Sequence, residues 1–209
     1  MSDKEELRYK DERSGILVNG VGRSGNRALL YSMGLEEDDF RKPMIGIANS
    51  FSELVPGHIH LRELARDVSD GILEGGGIPR EFDTIALCDG LCQGHCGMRY
   101  PLPSRDLIAD SIEMVVQAHH FDAMVLIPGC DKIIPGMLMA AARLDIPAIV
   151  VTGGPMLPGN VGGNPLFCSS ELREFPGRVE QGSCTVEEMK KAEEAALPTV
   201  GSCAHLGTA

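Results

Sequence analysis

The chain has 209 residues, enough for one substantial domain or two small ones, and its 43% hydrophobic and 23% charged residues are typical of a globular protein. The formal net charge of −11 argues against a nucleic-acid or anionic-membrane partner, because such surfaces need clustered Lys and Arg. No apolar run reaches the length of a membrane span, and the charged N-terminus lacks the apolar core of a signal peptide. We therefore expect a cytoplasmic protein that does not bind membranes.

Predicted strands and helices alternate along most of the chain. Residues 1–25 are polar and are expected to form an N-terminal arm, and residues 26–209 to form one α/β domain. Apolar patterns predict strands at 43–48, 82–87, 123–127 and 148–151. They also predict helices at 26–33, 59–73 and 137–144, and a further helix with Ser104 as its N-cap. The strands are nearly continuous apolar runs, which favours a parallel sheet with helices on both faces, a three-layer α/β fold. The loops that follow the strands would then share one rim.

The last part of the chain is less regular. From Met156 to Ser183, Gly, Pro and Asn dominate, and no regular element is predicted. Thr185 and Glu188 have the spacing of a capping box, which predicts a helix to about Ala196. No further element is completed after Cys203, and we interpret this end as a truncation.

The third predicted strand leads into a reactive tripeptide, Cys130-Asp131-Lys132. In open α/β proteins, the loops at the carboxyl ends of strands commonly carry the chemistry. Thiolates favour iron–sulfur clusters or zinc, and carboxylates favour magnesium or manganese, so this stretch suggests two kinds of metal side by side. A buried Cys next to a surface Asp–Lys pair is an alternative of equal weight for the tripeptide alone.

Asp89 follows the second predicted strand and is expected on the same rim as Asp131. Two carboxylates there could share a divalent cation, which takes several oxygen ligands. Lys132 could join such a site only if its amine were converted to a carbamate, which is an anionic oxygen ligand. The alternative is again an exposed Asp131–Lys132 ion pair, which contributes little to stability.

Seven cysteines are spread unevenly, and in a reducing compartment metal binding is a better use for some of them than disulfides. Cys130 and Cys203 both lie in Gly-flanked turns that a cluster could draw together. A second group recurs at every fourth residue but matches neither zinc nor ferredoxin spacings; it comprises Cys88, Cys92 and Cys96. Cys168 and Cys184 are interpreted as small buried hydrophobic residues.

Other motifs receive no role from the sequence. His58, His60 and His95 lie in or beside loops, where a polar cap is as common as a ligand. The glycines at 75–77 and 153–154 fit neither the Walker pattern nor the dinucleotide fingerprint. The first group is interpreted as a helix stop, and the second, at a strand end, would border the site.

Several blocks of the sequence together resemble the dihydroxy-acid dehydratase / phosphogluconate dehydratase family. They are IGIANS (45–50), PGH (56–58), CDG (88–90), LPSRDLIAD (102–110), GCDKIIPGMLMA (129–140) and GGPM (153–156). The ending, GSC at 201–203 with GTA at 207–209, resembles the next block of the family. The resemblance runs from about Arg27 to the last residue, and its long Cys-Asp-Lys block is highly specific.

The resemblance implies the N-terminal domain of a two-domain dehydratase of valine and isoleucine biosynthesis that forms a homodimer. Cys130 and Cys203 would ligate an iron–sulfur cluster, while Asp89, Asp131 and a carbamylated Lys132 would ligate Mg²⁺. The substrate would be a small 2,3-dihydroxy-3-methyl acid, which loses water to give a 2-keto acid. The cluster would act as a Lewis acid on the C3 hydroxyl, and magnesium would stabilise the enolate formed on loss of the C2 proton.

Two departures from the family pattern affect these expectations. Members with a three-Cys, two-iron cluster carry a Cys where this chain has Gly57, so we favour a 4Fe–4S over a 2Fe–2S cluster. A third ligand would then come from Cys88, Cys92 or Cys96. The family enzyme is also much longer, and its later domain carries a further magnesium carboxylate and the serine that takes the C2 proton. We therefore expect no catalytic residue in this chain and no turnover by it alone.

Two other functions stay open on the sequence. Within enzymes, a sugar-acid or 6-phosphogluconate dehydratase is the alternative, although the blocks PGH and LPSR favour the branched-chain substrate. From another class, the chain could be a metal-binding fragment without catalysis.

Overall fold

Four parallel strands form the centre of the fold in the computed structural model, which describes residues 7–205. The first six residues of the predicted arm and the family block at 207–209 lie outside the described residues. The strands are β1 (Met44–Asn49), β2 (Ile78–Asp83), β3 (Ala123–Ile127), β4 (Ala148–Val150), β5 (Gly159–Val161) and β6 (Asn164–Leu166). The α-helices are α1 (Gly15–Val18), α2 (Ser24–Ser32), α3 (Leu61–Glu74), α4 (Asp89–Cys92), α5 (Ser104–His119), α6 (Ile133–Leu144), α7 (Glu174–Glu180) and α8 (Val186–Ala196).

The main sheet has the strand order β2–β1–β3–β4, with every neighbouring pair parallel. The chain leaves β1 through α3 to the edge strand β2, and returns through α5 to β3 on the other side of β1. The strand order therefore reverses between β1 and β3. Open α/β sheets bind their ligands beyond the carboxyl ends of the strands at such a point.

The two faces of the sheet are covered by different helices, because alternate residues of a strand point to opposite faces. On one face Ile47 and Ile127 pack in a cluster with Leu61 and Ala65 of α3. The other face packs in a larger cluster with α5 and α6; its buried members include Ala48, Met124, Leu126, Ile108, Ile112 and Met137. The predicted three-layer α/β fold is confirmed.

The second strand was predicted in the wrong place: β2 covers Ile78–Asp83, not 82–87. It lies at the sheet edge, where Glu81 and Asp83 are exposed, so it does not show the apolar run of a central strand. Pro79 within it is tolerated because an edge strand needs fewer ladder hydrogen bonds. Residues 84–87, predicted as the second part of that strand, are irregular and lead directly to Cys88 and Asp89.

The start of α5 also differs from its prediction. Ser104 is the first residue of the helix and does not cap it; its Oγ donates to Pro101 O at 2.6 Å. The N-cap position is Pro103, which has no side-chain donor or acceptor. The capping box of α8 is confirmed, because Glu188 N donates to Thr185 Oγ1 at 3.2 Å and Thr185 N donates to Glu188 Oε2 at 2.8 Å.

The stretch from Met156 to Ser183, for which no element was predicted, contains a hairpin of β5 and β6, a 3₁₀ helix at Ser169–Arg173 and the short helix α7. The hairpin turns at Gly162 and Gly163, whose φ angles are +60° and +88°. Two-residue hairpin loops with positive φ at both positions favour glycine, so the sequence carried a turn signal that element periodicity missed. Each element here has seven residues or fewer, too few to show a clear period.

The described part of the predicted arm packs onto the sheet through a buried carboxylate. The side chain of Asp122 is 7% exposed and accepts hydrogen bonds from Ser14 N at 2.8 Å, Ser14 Oγ at 2.6 Å and Met44 N at 2.7 Å. Lys10 Nζ lies 4.0 Å from the same carboxylate, and Val18 is 1% exposed. The division into an arm (1–25) and a domain (26–209) stays a prediction.

Among residues 7–205, the helices fall short of the combined length and apolar character that crossing a membrane requires.

Candidate functional site

The candidate site lies beyond the carboxyl ends of β1 and β3, where the strand order reverses. Cys130 follows β3 and has φ +61°, a left-handed conformation that is uncommon for a residue other than glycine. Strand β3 ends at Ile127 and helix α6 begins at Ile133, so Cys130, Asp131 and Lys132 lie in the five-residue connection from strand to helix. Non-glycine residues in this conformation cost about 1 kcal/mol and cluster at functional sites.

The loop after β1 contacts this connection closely because Gly57 has no side chain. A Cβ at Gly57 would lie 2.8 Å from Cys130 Sγ and 3.2 Å from Ser202 N. A Cβ at Gly129 would lie 2.6 Å from Gly57 O. The loops after β1 and β3 and the turn before Cys203 therefore meet at this point, and the contact requires glycine.

Backbone hydrogen bonds bring Cys203 to the same rim from far along the chain. Gly201 N donates to Pro56 O at 3.0 Å and Ser202 N donates to Gly154 O at 3.0 Å. Met156 N donates back to Ser202 O at 2.8 Å, within an isolated parallel bridge between Pro155 and Ser202. Cys203 is held in this way beside loops that precede it by about 50 residues or more.

The two carboxylates predicted to share a cation both contact the same lysine. Lys132 Nζ is 2.8 Å from Asp131 Oδ2 and also forms an ion pair with Asp89 Oδ2. Burial on its own would lower the pKa of Lys132, but the hydrogen bonds and charges of Asp131 and Asp89 outweigh it and raise the pKa. In this state an ammonium occupies the position between the two carboxylates where a cation would be expected.

Electrostatics at the thiols indicates a concentration of negative charge. Burial, followed by the charges of Cys88, Cys203, Asp131 and Asp89, raises the pKa of Cys130 to about 12. Burial also raises the pKa of Cys203, with further contributions from Cys168, Asp131 and Cys88. Burial first and the nearby acidic groups second therefore disfavour ionisation of Cys130 and Cys203, and a positively charged group beside these two thiols would relieve that effect.

A cavity of about 100 Å³ at this rim collects sulfur and oxygen donors from four parts of the chain. Its lining donors include Cys88, Asp89, Cys130, Asp131, Cys168 and Cys203. In the described residues 7–205, no group of three His, Cys, Asp or Glu side chains is arranged to hold a single metal ion. These donors fit an iron–sulfur cluster and Mg²⁺ under two conditions. The thiols would have to bind a cluster of several metal ions, and Lys132 would have to become an oxygen donor.

The family model for "Dihydroxy-acid/6-phosphogluconate dehydratase N-terminal" matches residues 42–209. The chain belongs to this dehydratase family. The match includes every residue of the candidate site, from the loop after β1 to the turn at Cys203. The predicted resemblance to the family is confirmed.

Curated relatives of the dehydratase family extend the match over most of this chain. The chain is 53% identical over 197 residues to the dihydroxy-acid dehydratase of Pyrococcus abyssi, covering 94% of the chain and 36% of that relative. It is 55% identical over 196 residues to that of Methanococcus maripaludis, again covering 94% and 36%. For Halothermothrix orenii the identity is 53% over 196 residues, covering 94% and 35%. The chain therefore spans about a third of the length of these relatives.

Cys88 and Cys168 also line the cavity, whereas Cys92 and Cys96 do not. The sequence interpretation of Cys168 as a small buried hydrophobic residue was wrong, because it is half-buried and lines the cavity. Cys184 is buried away from the site, as expected. No period or motif marked Cys168; only the fold of residues 156–183 brings it here.

His58 is a further residue of the site to which the sequence gave no role. It is fully buried, and its Nδ1 is 2.7 Å from Ser50 O, an acceptor, so Nδ1 carries the proton. Among the described residues, Nε2 has no hydrogen-bond partner, and it faces Gly129 beside Cys130. Burial lowers the pKa of His58, so the ring is neutral and packs beneath the turn that carries Cys130.

Proposed function

We propose that this chain is the iron–sulfur- and magnesium-binding part of a dihydroxy-acid dehydratase. The reaction removes water from a 2,3-dihydroxy-3-methyl acid: C2 loses a proton, C3 loses its hydroxyl group, and the resulting enol takes up a proton at C3 to give the 2-keto acid. The three relatives described above are all named dihydroxy-acid dehydratases, which supports this substrate over a sugar acid or 6-phosphogluconate. Branched-chain amino-acid biosynthesis, a homodimer and a cytoplasmic location belong to the same proposal.

One observation carries the proposal: oxygen and sulfur donors line one cavity at the point where the strand order reverses. Asp89 and Asp131 contact Lys132 there, and the thiols of Cys130 and Cys203 line the same cavity. A small acid bound there could reach both donor sets at once. Hard oxygen donors suit magnesium and soft thiolates suit an iron–sulfur cluster.

In this proposal Asp89 and Asp131 hold magnesium together with Lys132. The Lys132 ammonium would lose one proton, its neutral amine would add carbon dioxide, and loss of a second proton from nitrogen would give a carbamate with an anionic oxygen. Two carboxylates and a carbamate would hold magnesium, which would supply the positive charge that binds the substrate's carboxylate and C2 hydroxyl. The change from ammonium to carbamate also removes a cation that competes with magnesium for the two carboxylates.

Cys130 and Cys203 hold the cluster in this proposal, and the cluster, when bound, supplies a Lewis acid for the departing C3 hydroxyl. The left-handed backbone at Cys130 and the glycine contact at Gly57 keep its thiol at the shared cavity. Gly57 offers no thiol itself, which supports a four-iron cluster with a third thiolate from elsewhere in the chain.

Spectroscopy of the reconstituted chain tests the cluster. The 209-residue chain would be purified, incubated anaerobically with ⁵⁷Fe and sulfide, and examined by Mössbauer spectroscopy. We expect a four-iron signature with one iron distinguishable from the other three. A two-iron signature would contradict the cluster type, and a chain that binds no iron would contradict the proposal.

Carbon-13 NMR tests the role of Lys132. With ¹³C-bicarbonate and magnesium, we expect a carbamate resonance in the unsubstituted chain and none in Lys132→Met. Lys191→Met, which changes an exposed lysine, is the control. A resonance that persists in Lys132→Met would contradict the assignment.

A further inference from the structure

Four thiols, Cys88, Cys130, Cys168 and Cys203, line the candidate cavity, although the family resemblance assigns only two of them. We propose that Cys168 supplies the third thiolate of the cluster, an inference that rests on the proposed function. The segment 156–183 would then provide the last of the three sulfur ligands.

Two contacts hold the neighbours of Cys168 against the neighbours of Cys203. Ala204 N donates to Phe167 O at 2.8 Å. The ring centroids of Phe167 and His205 are 5.5 Å apart. Each partner in these contacts is one or two residues from a thiol, so the two cysteine turns are held side by side.

The backbone at Cys168 is fixed by its own local structure as well. Glu171 Oε2 accepts hydrogen bonds from Phe167 N at 2.5 Å and from Cys168 N at 3.2 Å. These bonds hold the turn that begins the 3₁₀ helix Ser169–Arg173. A thiol held this firmly needs little reorganisation to bind a metal.

Cys88 is the competing candidate, because it lines the cavity together with Cys130 and Cys203. It directly precedes Asp89, which pairs with Lys132 on the oxygen side of the cavity. If all four thiolates bound a four-iron cluster, no iron would remain open for the substrate hydroxyl. Cys168 is favoured because its turn is held against the turn of Cys203, and Cys88 stays free in this assignment.

Reconstitution of single variants tests this inference. The full 209-residue chain and the variants Cys168→Ser, Cys88→Ser and Cys184→Ser would be loaded anaerobically with iron and sulfide. Cys184 is the matched control because it is buried outside this cavity. We expect cluster iron and acid-labile sulfide to fall about 10-fold in Cys168→Ser and to stay unchanged in the other two. Circular dichroism would check that each variant is folded.

Alkylation of the unsubstituted chain provides a test that does not depend on folding of a variant. Iodoacetamide labelling with and without the cluster, followed by peptide mapping, should show that loading protects Cys130, Cys168 and Cys203 but not Cys88. Protection of Cys88 in place of Cys168, or a cluster retained in Cys168→Ser, would overturn this inference and leave the proposed function standing. An unsubstituted chain that takes up no cluster would overturn both.

Discussion

Gly57 determines how closely the three loops of the site approach one another. A methyl group there would meet Cys130 Sγ at 2.8 Å and Ser202 N at 3.2 Å, so the side chain of Cys130 and the backbone of the Pro155–Ser202 bridge would have to shift. We expect Gly57→Ala to lower the free energy of unfolding by about 2 kcal/mol, because overpacking forces the backbone to shift. Urea denaturation measures this change.

Gly25→Ala is the control for this substitution. Gly25 lies in α2, and a Cβ there would meet nothing within 4 Å. Alanine is favoured over glycine in a helix by roughly 0.5–1 kcal/mol, so this variant should be as stable as the unsubstituted chain or more stable. Equal effects of the two substitutions would show that the contact at Gly57 is not tight.

His58 makes stability depend on pH. Its ordinary pKa is 6.5, and burial lowers that value in the folded chain. Below about pH 6.5 the unfolded chain therefore binds a proton that the folded chain excludes, and the free energy of unfolding falls as the pH falls. The variant His58→Asn keeps a donor for Ser50 O but does not titrate, so it should lose less stability than the unsubstituted chain between pH 7.5 and pH 5.

The measurement for His58 is the urea midpoint of both proteins in the metal-free state at the two pH values. A variant that loses as much stability on acidification as the unsubstituted chain would show that another group dominates.

At the scale of elements, α8 is held at its start by a reciprocal pair of hydrogen bonds between Thr185 and Glu188. Its end packs against β5 so closely that a Cβ at Gly159 would meet Ala196 O. We expect Thr185→Ala to lower the free energy of unfolding by about 1 kcal/mol, because one N-terminal N–H loses its acceptor. Thr185→Ser, which keeps the hydroxyl, should stay within a few tenths of a kcal/mol. Thermal unfolding of both variants distinguishes them, and identical losses would contradict the cap.

Elements with a long apolar period were predictable from sequence, and short or edge elements were not. β3 was predicted at its observed bounds because it is a central strand with residues buried on both faces. β2 was shifted because exposed edge residues hide its apolar pattern. The β5–β6 hairpin was missed because its signal lies in the φ angles of two glycines and not in periodicity.

At the scale of the whole molecule, Asp122 joins the N-terminal segment to the start of the sheet. Removing its charge leaves Lys10 without its nearby carboxylate, and the side chain of Lys10 is only 2% exposed. It also weakens the three hydrogen bonds that Asp122 accepts from Ser14 and Met44. We expect Asp122→Asn to lower the free energy of unfolding by about 3 kcal/mol and to expose the segment to proteases. Asp145→Asn is the control, because Asp145 is exposed with φ +49°, a conformation that Asn tolerates. Equal proteolysis of the two variants would contradict this anchoring.

The site itself was predictable only in part. Asp89, Asp131 and Cys130 follow strands or the loops after them, so a shared rim could be expected from the parallel sheet alone. Cys203 reaches the rim through the Pro155–Ser202 bridge, and Cys168 through contacts of Phe167 with Ala204 and His205. Those tertiary contacts leave no periodic trace in the sequence.

The central claim is that sulfur and oxygen donors at the reversal of strand order hold a cluster and magnesium in one cavity. X-ray diffraction at the iron absorption edge, from crystals of the anaerobically reconstituted chain, tests it most directly. We expect anomalous density bonded to the thiolates of Cys130 and Cys203, in the cavity that Asp89 and Asp131 also line. Iron bound elsewhere on the chain, with these two thiols unligated, would contradict it.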